Sequence, residues 1–456
     1  MPVKTLPPAG LFDSLRSALA GELTLPGDPD YNTARTVWNA MIDAHPAAIA
    51  RCTSTADVMA AVNFGRQHGL EIAVRGGGHS AAGLAVCEGG LVIDLGPMHA
   101  VKVDSINQTA VAGGGTTWSQ FDAATTAHNL ATTGGAISTT GVAGLTLGGG
   151  IGWLMRAYGL ACDNLIGAEV VLADGSVATT SETERPELLW GLRGGGGNFG
   201  VVTSFTFRLH PMDGVVAGPI FYPRELAPKA LRHYRELTAS APDDQTTFFG
   251  LLTSPEGAPM TAFITVSASA DPSVAVPTHT QILELGVPLA DLVGPMPYVA
   301  VQSMLDDGMV AGIPVYWKAH FLNGLDDAAI DLIVDWSNRA ESPLSLVLIE
   351  HLGGAVARVA ADATAFAHRH ATYNLAIIGR WLESADAETT IAWARGFHEA
   401  ITPYAAGVYM NYLGVGDGQE RVREAYDAKV YERLVALKRE YDPTNLFHRN
   451  QNIRPD

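Results

Sequence analysis

Along the 456-residue chain the spacing of hydrophobic positions switches between a helical and a strand period, and the switches mark out its elements. Residues 55–67 follow helical spacing, and Ser54 with Asp57 has the spacing of a capping box. The run Glu71-Ile72-Ala73-Val74 reads as a strand, as do 91–95, 101–103 and 109–112. Residues 117–128 predict a helix with Trp118, Phe121 and Ala124 along one face. A hairpin is predicted over 167–180 around Asp174-Gly175, a pair that favours a type I′ turn. The β-branched stretch 201–207 is a further strand.

The pattern changes near Pro211. From there long strands (247–253, 261–267, 315–321, 344–349, 373–378) alternate with amphipathic helices at 327–339 and 387–401. A last helix is predicted over 419–440, ending at Tyr441-Asp442-Pro443. An antiparallel sheet with helices on one face accounts for this second part, a different layer type from the first.

Composition narrows the class. Apolar residues make up 47% and charged ones 17%, as in a globular chain with a sizeable core, and the length calls for two units or one interrupted domain. The net charge of −18 disfavours nucleic acid and anionic membranes as partners. No apolar run reaches the roughly 18 residues of a membrane span. Residues 1–20 lack a basic start followed by an apolar stretch, so no signal peptide is expected. Cys52, Cys87 and Cys162 are widely spaced, which excludes a disulfide framework and a zinc site of ordinary spacing and suits a cytoplasmic location. His368 and His370 have no thiol or carboxylate at ligand spacing, and no metal is expected.

The chemistry gathers in three glycine clusters. The first is Arg75-Gly76-Gly77-Gly78-His79-Ser80, at the end of a predicted strand. Glycines there let backbone N–H groups close on an anion such as a pyrophosphate. On their own these six residues fit either a surface turn with a solvated histidine or a cofactor tether. The second cluster, 134–152, is almost all small residues and leucine, suited to backbone packed against a large flat object. The third contains Gly195-Gly196-Gly197-Asn198-Phe199-Gly200, which has GxGxxG spacing; residues 76–81 have GxGxxA. A dinucleotide fingerprint needs a helix directly after its glycines, whereas strand follows Gly200, and a turn then strand follows Ala81, so a nicotinamide-binding Rossmann unit is disfavoured.

Taken together, Arg75-Gly76-Gly77-Gly78-His79-Ser80, Gly148-Gly149-Gly150-Ile151-Gly152, Tyr158-Gly159-Leu160-Ala161-Cys162-Asp163-Asn164 and the stretch from Leu189 to Val202 resemble the vanillyl-alcohol oxidase and p-cresol methylhydroxylase superfamily, in its berberine-bridge-enzyme-like branch. Tyr409-Met410-Asn411-Tyr412, Tyr441-Asp442-Pro443 and Asn450-Gln451-Asn452-Ile453 complete the likeness. The resemblance implies an α+β chain with an interrupted FAD-binding domain of the p-cresol methylhydroxylase type over 1–211 (its core about 42–211). A substrate domain with an antiparallel sheet would span 212–408, and 409–456 would return to the FAD domain. It implies FAD contacts at Arg75, Gly76, Gly77, Gly78, His79, Ser80 and Gly83, and at Gly134, Gly135, Ser138, Thr140, Gly141, Gly144, Leu145, Gly149 and Gly152. Further contacts fall at Cys162, Asp163, Gly200, Val202, Asn411 and Gln451. His79 would carry the flavin through its 8α carbon, where a neutral imidazole attacks the quinone-methide tautomer. Bicovalent members add a cysteine where this chain has Ile137, so a single link is expected, with Cys162 a packed thiol.

Substrate oxidation needs a base while hydride leaves for the flavin. Glu350, His351, Tyr373, Tyr409 and Tyr412 are the candidates. Strand alternation lets only one of Glu350 and His351 face the ring, and Glu350 is chosen, although an exposed strand-end carboxylate fits equally. By the same period Tyr409 and Asn411 share a face, and the family's Tyr-x-Asn implies Tyr409 as base or substrate anchor. Phe248, Phe249, Trp317, Phe321 and Trp381 are pocket or core candidates. Thr140, before Gly141, would control O2 access, and Leu145 stands where many relatives have a histidine. The expected activity is oxidation of an alcohol, sugar or secondary metabolite, with O2 reduced to H2O2, by a monomer or homodimer. The alternatives are an O2-unreactive dehydrogenase, an oxygenase of the flavin-N5-oxide type acting on a polyketide-like substrate, and a non-catalytic flavin-binding protein.

Overall fold

The computed structural model describes residues 10–456, so the first nine residues of the segment read for a signal peptide lie outside it. Three large sheets, with a short pairing of His210–Pro211 on Leu130–Ala131 beside them, organise the described residues into an α+β chain. The first holds Glu22–Thr24, Ala48–Arg51, Leu91–Asp94 and Ile72–Arg75 in that order, the last three parallel. Between Ala48–Arg51 and Ile72–Arg75 runs the helix Thr55–His68, its first turn held by the Ser54 hydroxyl accepting from Asp57 N at 3.2 Å. Asp57 does not complete the capping box. Its buried carboxylate instead accepts from the N–H groups of Ala20 and Thr53, which ties the N-terminal segment to the helix.

The second sheet is antiparallel, in the order Val101–Asp104, Thr109–Gly113, Val201–Arg208, Leu165–Val171, Val177–Ser181. Its Asp174-Gly175 connection is not a type I′ turn. Only Gly175 has positive φ (85°), and Gly175 N donates to Leu172 O while Leu172 N donates to Ser176 O. Five residues connect the strands, so the twist is matched by one left-handed glycine rather than two.

The nine-stranded third sheet is antiparallel throughout. Its path runs Ala290–Asp291, Val215–Pro223, Pro259–Ser267, Gln245–Thr253, Leu346–His351, Tyr373–Arg380, Val315–Leu322, Ala405–Gly407, with Gly294–Met296 also on Val215–Pro223. Period-two alternation gives it two apolar faces. One buries Phe249, Tyr316, Tyr373 and Trp381 beneath the helices Ala227–Ala239, Asp327–Asn338 and Ala387–Ile401. The other packs Phe248, Ile264, Phe321 and Leu348 against Trp153, Met155, Leu160 and Tyr409. Phe249 and Trp381 therefore belong to the helix-side core rather than to a pocket.

After Val408 the chain rejoins the core of the second sheet. Residues 419–440 form two helices, Gln419–Glu424 and Ala428–Tyr441, because Asp427 caps the second by accepting from Val430 N. Lys438, fully buried, donates to Asn198 O, Asp442 Oδ2 and Phe447 O, pinning the tail against the third glycine cluster.

Candidate active site

The glycine clusters meet along one groove. Residues 76–78 lie so close to Gly141 that a Cβ on Gly77 would stand 2.4 Å from Gly141 N, and one on Gly141 would be equally close to Gly77 N. Gly78 has φ +69°, which turns the chain to present His79. Gly144 and Gly197 line the same groove with nothing within 4 Å of a built Cβ, so any side chain there would occupy the cleft itself. The groove opens on a cavity of about 290 Å³. A long groove floored by glycine backbone, with side-chain space left empty and a histidine beside it, fits an extended FAD molecule.

The expected contacts divide into two groups. Gly76, Gly77, Gly78, His79, Ser80, Thr140, Gly141, Gly144, Leu145, Gly200, Val202, Tyr409, Asn411 and Gln451 line the cavity. Arg75, Gly83, Gly134, Gly135, Ser138, Gly149, Gly152, Cys162, Asp163 and Glu350 stand outside its lining. Arg75 is engaged with Asp94 through Nε (3.2 Å) and Nη2 (2.9 Å). Ser138 is turned to Asp306, its N–H and hydroxyl both donating to that carboxylate. Asp163 accepts two hydrogen bonds from Arg369. Cys162 is a free, fully buried thiol, and burial pushes its pKa well up. The close backbone of Gly134 and Gly152 holds the loop in shape: a Cβ on Gly152 would stand 2.1 Å from Gly134 O.

His79 is half-buried, stacked on Trp38 with centroids 5.0 Å apart. Desolvation lowers its pKa to about 4, so the imidazole is neutral near pH 7. Its Nε2 lies 2.9 Å from the Thr139 hydroxyl, and its Nδ1 lies 3.4 Å from the Thr140 hydroxyl.

Glu350 lies within the strand Leu346–His351 and is fully buried, not exposed at a strand end. Its neighbour across the strands is Asn374, whose amide donates to Oε2 at 2.5 Å, and the Tyr412 hydroxyl donates to Oε1 at 2.7 Å. Burial, opposed by these two hydrogen bonds, raises the carboxyl pKa to about 7. His351 lies within hydrogen-bond distance of Arg156, and Tyr373 meets Thr238 in the helix-side core; neither lines the cavity.

Residues 409–412 do not continue a strand. Met410–Tyr412 is a 3₁₀ turn, and Asn411 Nδ2 reaches Tyr409 Oη at 2.8 Å by the turn rather than by alternation. Gly150 N (2.8 Å) and Ile151 N (3.3 Å) donate to the same oxygen. Burial, the largest influence, raises the Tyr409 pKa despite those donors. With Gly150 N, Ile151 N and Asn411 Nδ2 all directed at its oxygen, Tyr409 has no lone pair left for a substrate proton. Tyr412, which lines the cavity, is the hydroxyl joined to Glu350. Trp317, one of the aromatic pocket or core candidates, lines the cavity, as do Trp38 and Met309, which carry no sequence motif and are revealed only by the folded chain.

Comparison with known proteins agrees with this geometry. The model of an FAD binding domain matches residues 46–181, and that described as berberine and berberine like matches 408–454. An FAD-linked oxidoreductase of Dictyostelium discoideum is 32% identical over 92% of this chain and 91% of its own length. The (R)-6-hydroxynicotine oxidase of Paenarthrobacter nicotinovorans is also 32% identical, over 96% of this chain and 98% of its own. The crystal structure of 6-hydroxy-D-nicotine oxidase from Arthrobacter nicotinovorans superposes with a TM-score of 0.88 at 28% identity, covering 96% of this chain and 98% of that one. With its glycine groove and both matched segments, the chain belongs to the berberine-bridge-enzyme-like family of FAD-dependent oxidoreductases.

Proposed function

We infer that this chain is a cytoplasmic oxidase that carries one FAD covalently on His79. It oxidises an alcohol, sugar or secondary metabolite and hands the electrons to O2, forming H2O2. The observation that carries this reading is the meeting, at one cavity, of a neutral imidazole beside a glycine groove and a hydroxyl backed by a buried carboxylate. FAD in the groove would supply the acceptor for a substrate hydride.

Thr139 engages Nε2 of His79, so Nδ1, with only the longer contact to Thr140, is the nitrogen available for the 8α link. Ile137 at the cysteine position and the burial of Cys162 outside the lining support a single link. The ionised Glu350 draws the Tyr412 proton as the Tyr412 oxygen takes one from the substrate's O–H or N–H. A carboxyl titrating near 7 suits that exchange at neutral pH. Tyr409, its oxygen occupied by the donors from Gly150, Ile151 and Asn411, acts as an anchor that holds this loop and not as the base. Thr140 and Leu145 form the wall along which O2 approaches. The apolar Leu145 favours a second reading, an oxygenase acting on a polyketide-like substrate.

Oxygen uptake with peroxidase-coupled detection across alcohols, sugars and polyketides tests the reading. One H2O2 per product supports it. Flavin reduction without O2 uptake would indicate a dehydrogenase, and incorporation of labelled oxygen an oxygenase; either overturns it.

A further inference from the structure

A second cavity, of about 620 Å³, lies between the helix Trp118–Thr126 and the short helix Tyr298–Gln302. It shares no residue with the lining of the flavin groove. Ser119, Ala123, Asn129 and Asp213 are exposed and form its mouth. Asp122 and Gln302 line it while only 0% and 1% exposed, so they form its inner end.

The oxygens at that inner end have no donor. Among the described residues no group donates to Asp122 Oδ1 or Oδ2. The hydroxyls of Thr125 and Thr126 donate instead to the Asp122 backbone carbonyl, at 3.4 and 2.6 Å. Trp118 Nε1, one turn back on the helix, does not reach the carboxyl, and the Tyr298 hydroxyl is directed to Thr132 O. Gln302 Nε2 donates to Gly135 O at 2.7 Å, which fixes the amide's orientation and leaves Oε1 without a donor as well. The large majority of buried side-chain polar atoms find a partner, and three unsatisfied acceptors lining one cavity depart from that rule together. Burial, with nothing opposing it, also holds the Asp122 carboxyl well above the usual carboxylate range, so its ionised form calls for a positive charge beside it.

The chemistry that completes this set is a cation bearing N–H donors. The lining includes no lysine, arginine or histidine, and Asp213 at the mouth adds a second carboxylate. An ammonium group brings three donors for the three oxygens, and its charge stabilises ionised Asp122. A metal ion fits less well, because among the described residues no group of three or more His, Cys, Asp or Glu is placed to hold one. Ala123, Ala127, Met212, Pro297 and Val299 make the rest of the wall apolar, which suits a short carbon chain. We propose that this cavity binds a protonated primary amine, with its ammonium on Asp122 and Gln302 and its alkyl part along the apolar wall. The amine lies behind the loop 134–141. Gln302 holds Gly135 O and Ser138 lines the amine cavity, while Thr140 and Gly141 of the same loop line the flavin groove.

The test is a hydrogen-exchange titration of the purified full chain near neutral pH with n-butylammonium. Ionic strength is held with tetramethylammonium chloride, which has the same charge and no N–H to donate. The amine should protect backbone amides within 118–129 and 298–303. n-Butanol, which lacks the charge, and potassium chloride, which lacks the donors, should need at least about tenfold higher concentration for the same protection. Asp122→Asn keeps the shape of the side chain and removes its charge, and should raise the amine concentration required at least about tenfold. The wild-type comparison of the three compounds stands even if that variant fails to fold. No protection of either segment by the amine, equal protection by n-butanol or potassium, or an Asp122→Asn protein that responds as wild type does overturns the proposal.

Discussion

Glu350→Gln replaces the buried carboxyl with an amide of the same shape, and its effect is calculable from the site. Burial moves the Glu350 pKa from its ordinary 4.5 to about 7. At about 1.4 kcal/mol per tenfold change in proton affinity, ionising this group in the folded chain costs roughly 3 kcal/mol. The folded-state pKa lies above the unfolded one, so the associated stability is present below pH 4.5 and is lost as pH rises to about 7. The glutamine variant escapes that loss. Its stability relative to wild type should therefore climb between pH 5 and pH 8, by up to about 3 kcal/mol, in urea unfolding of the holoenzyme. Flavin reduction, measured anaerobically by stopped flow, should move the opposite way. Wild type should accelerate with pH through about 7 as Glu350 ionises, and the variant should be about 10²–10⁴-fold slower with that inflection gone. A pH-independent stability difference would refute the raised pKa, and an unchanged inflection in the variant would refute Glu350 as the proton acceptor.

Tyr412→Phe should slow flavin reduction by about 10²–10⁴-fold while FAD content stays at the wild-type level; reduction at the wild-type rate removes Tyr412 from the proton path. Tyr409→Phe strips the acceptor from the N–H groups of Gly150 and Ile151, and should lower unfolding stability by about 1–3 kcal/mol for each group left unpaired. Thermal unfolding of the two phenylalanine variants side by side checks this, and equal melting of Tyr409→Phe and wild type contradicts it. Thr140→Leu should slow reoxidation of the reduced enzyme in air and leave substrate-driven reduction nearly intact; equal reoxidation rates mean Thr140 does not gate O2.

The groove is legible in the sequence because glycine blocks announce backbone contact wherever they fall. The β-branched run after Gly200 likewise disfavours a Rossmann unit, and those residues do form the strand Val201–Arg208. The third sheet and its helices follow from a period that stays regular over long segments. Pairing at a distance leaves no such local pattern. Tyr412 and Tyr409 differ by three positions, and only the 3₁₀ turn decides which reaches Glu350. Glu350 resembles a strand end in sequence because the residues that bury it, Asn374 and Tyr412, lie 24 and 62 residues away. Ser138 sits in the glycine loop, yet its hydroxyl meets Asp306, 168 residues on, and it is not among the cavity's lining residues. Trp38 and Met309 carry no motif, since an apolar wall needs only shape and can be met by many residues.

The most direct measurement of the central claim is peptide mass spectrometry on acid-precipitated protein. The flavin should remain with the pellet, and a single peptide containing His79 should carry the mass of FAD, with Cys162 unmodified. His79→Ala should release its flavin into the acid supernatant while still binding FAD before precipitation, because the glycine groove is unchanged. Wild-type protein that gives up its flavin to acid, or a flavin mass on any other peptide, would contradict the assignment.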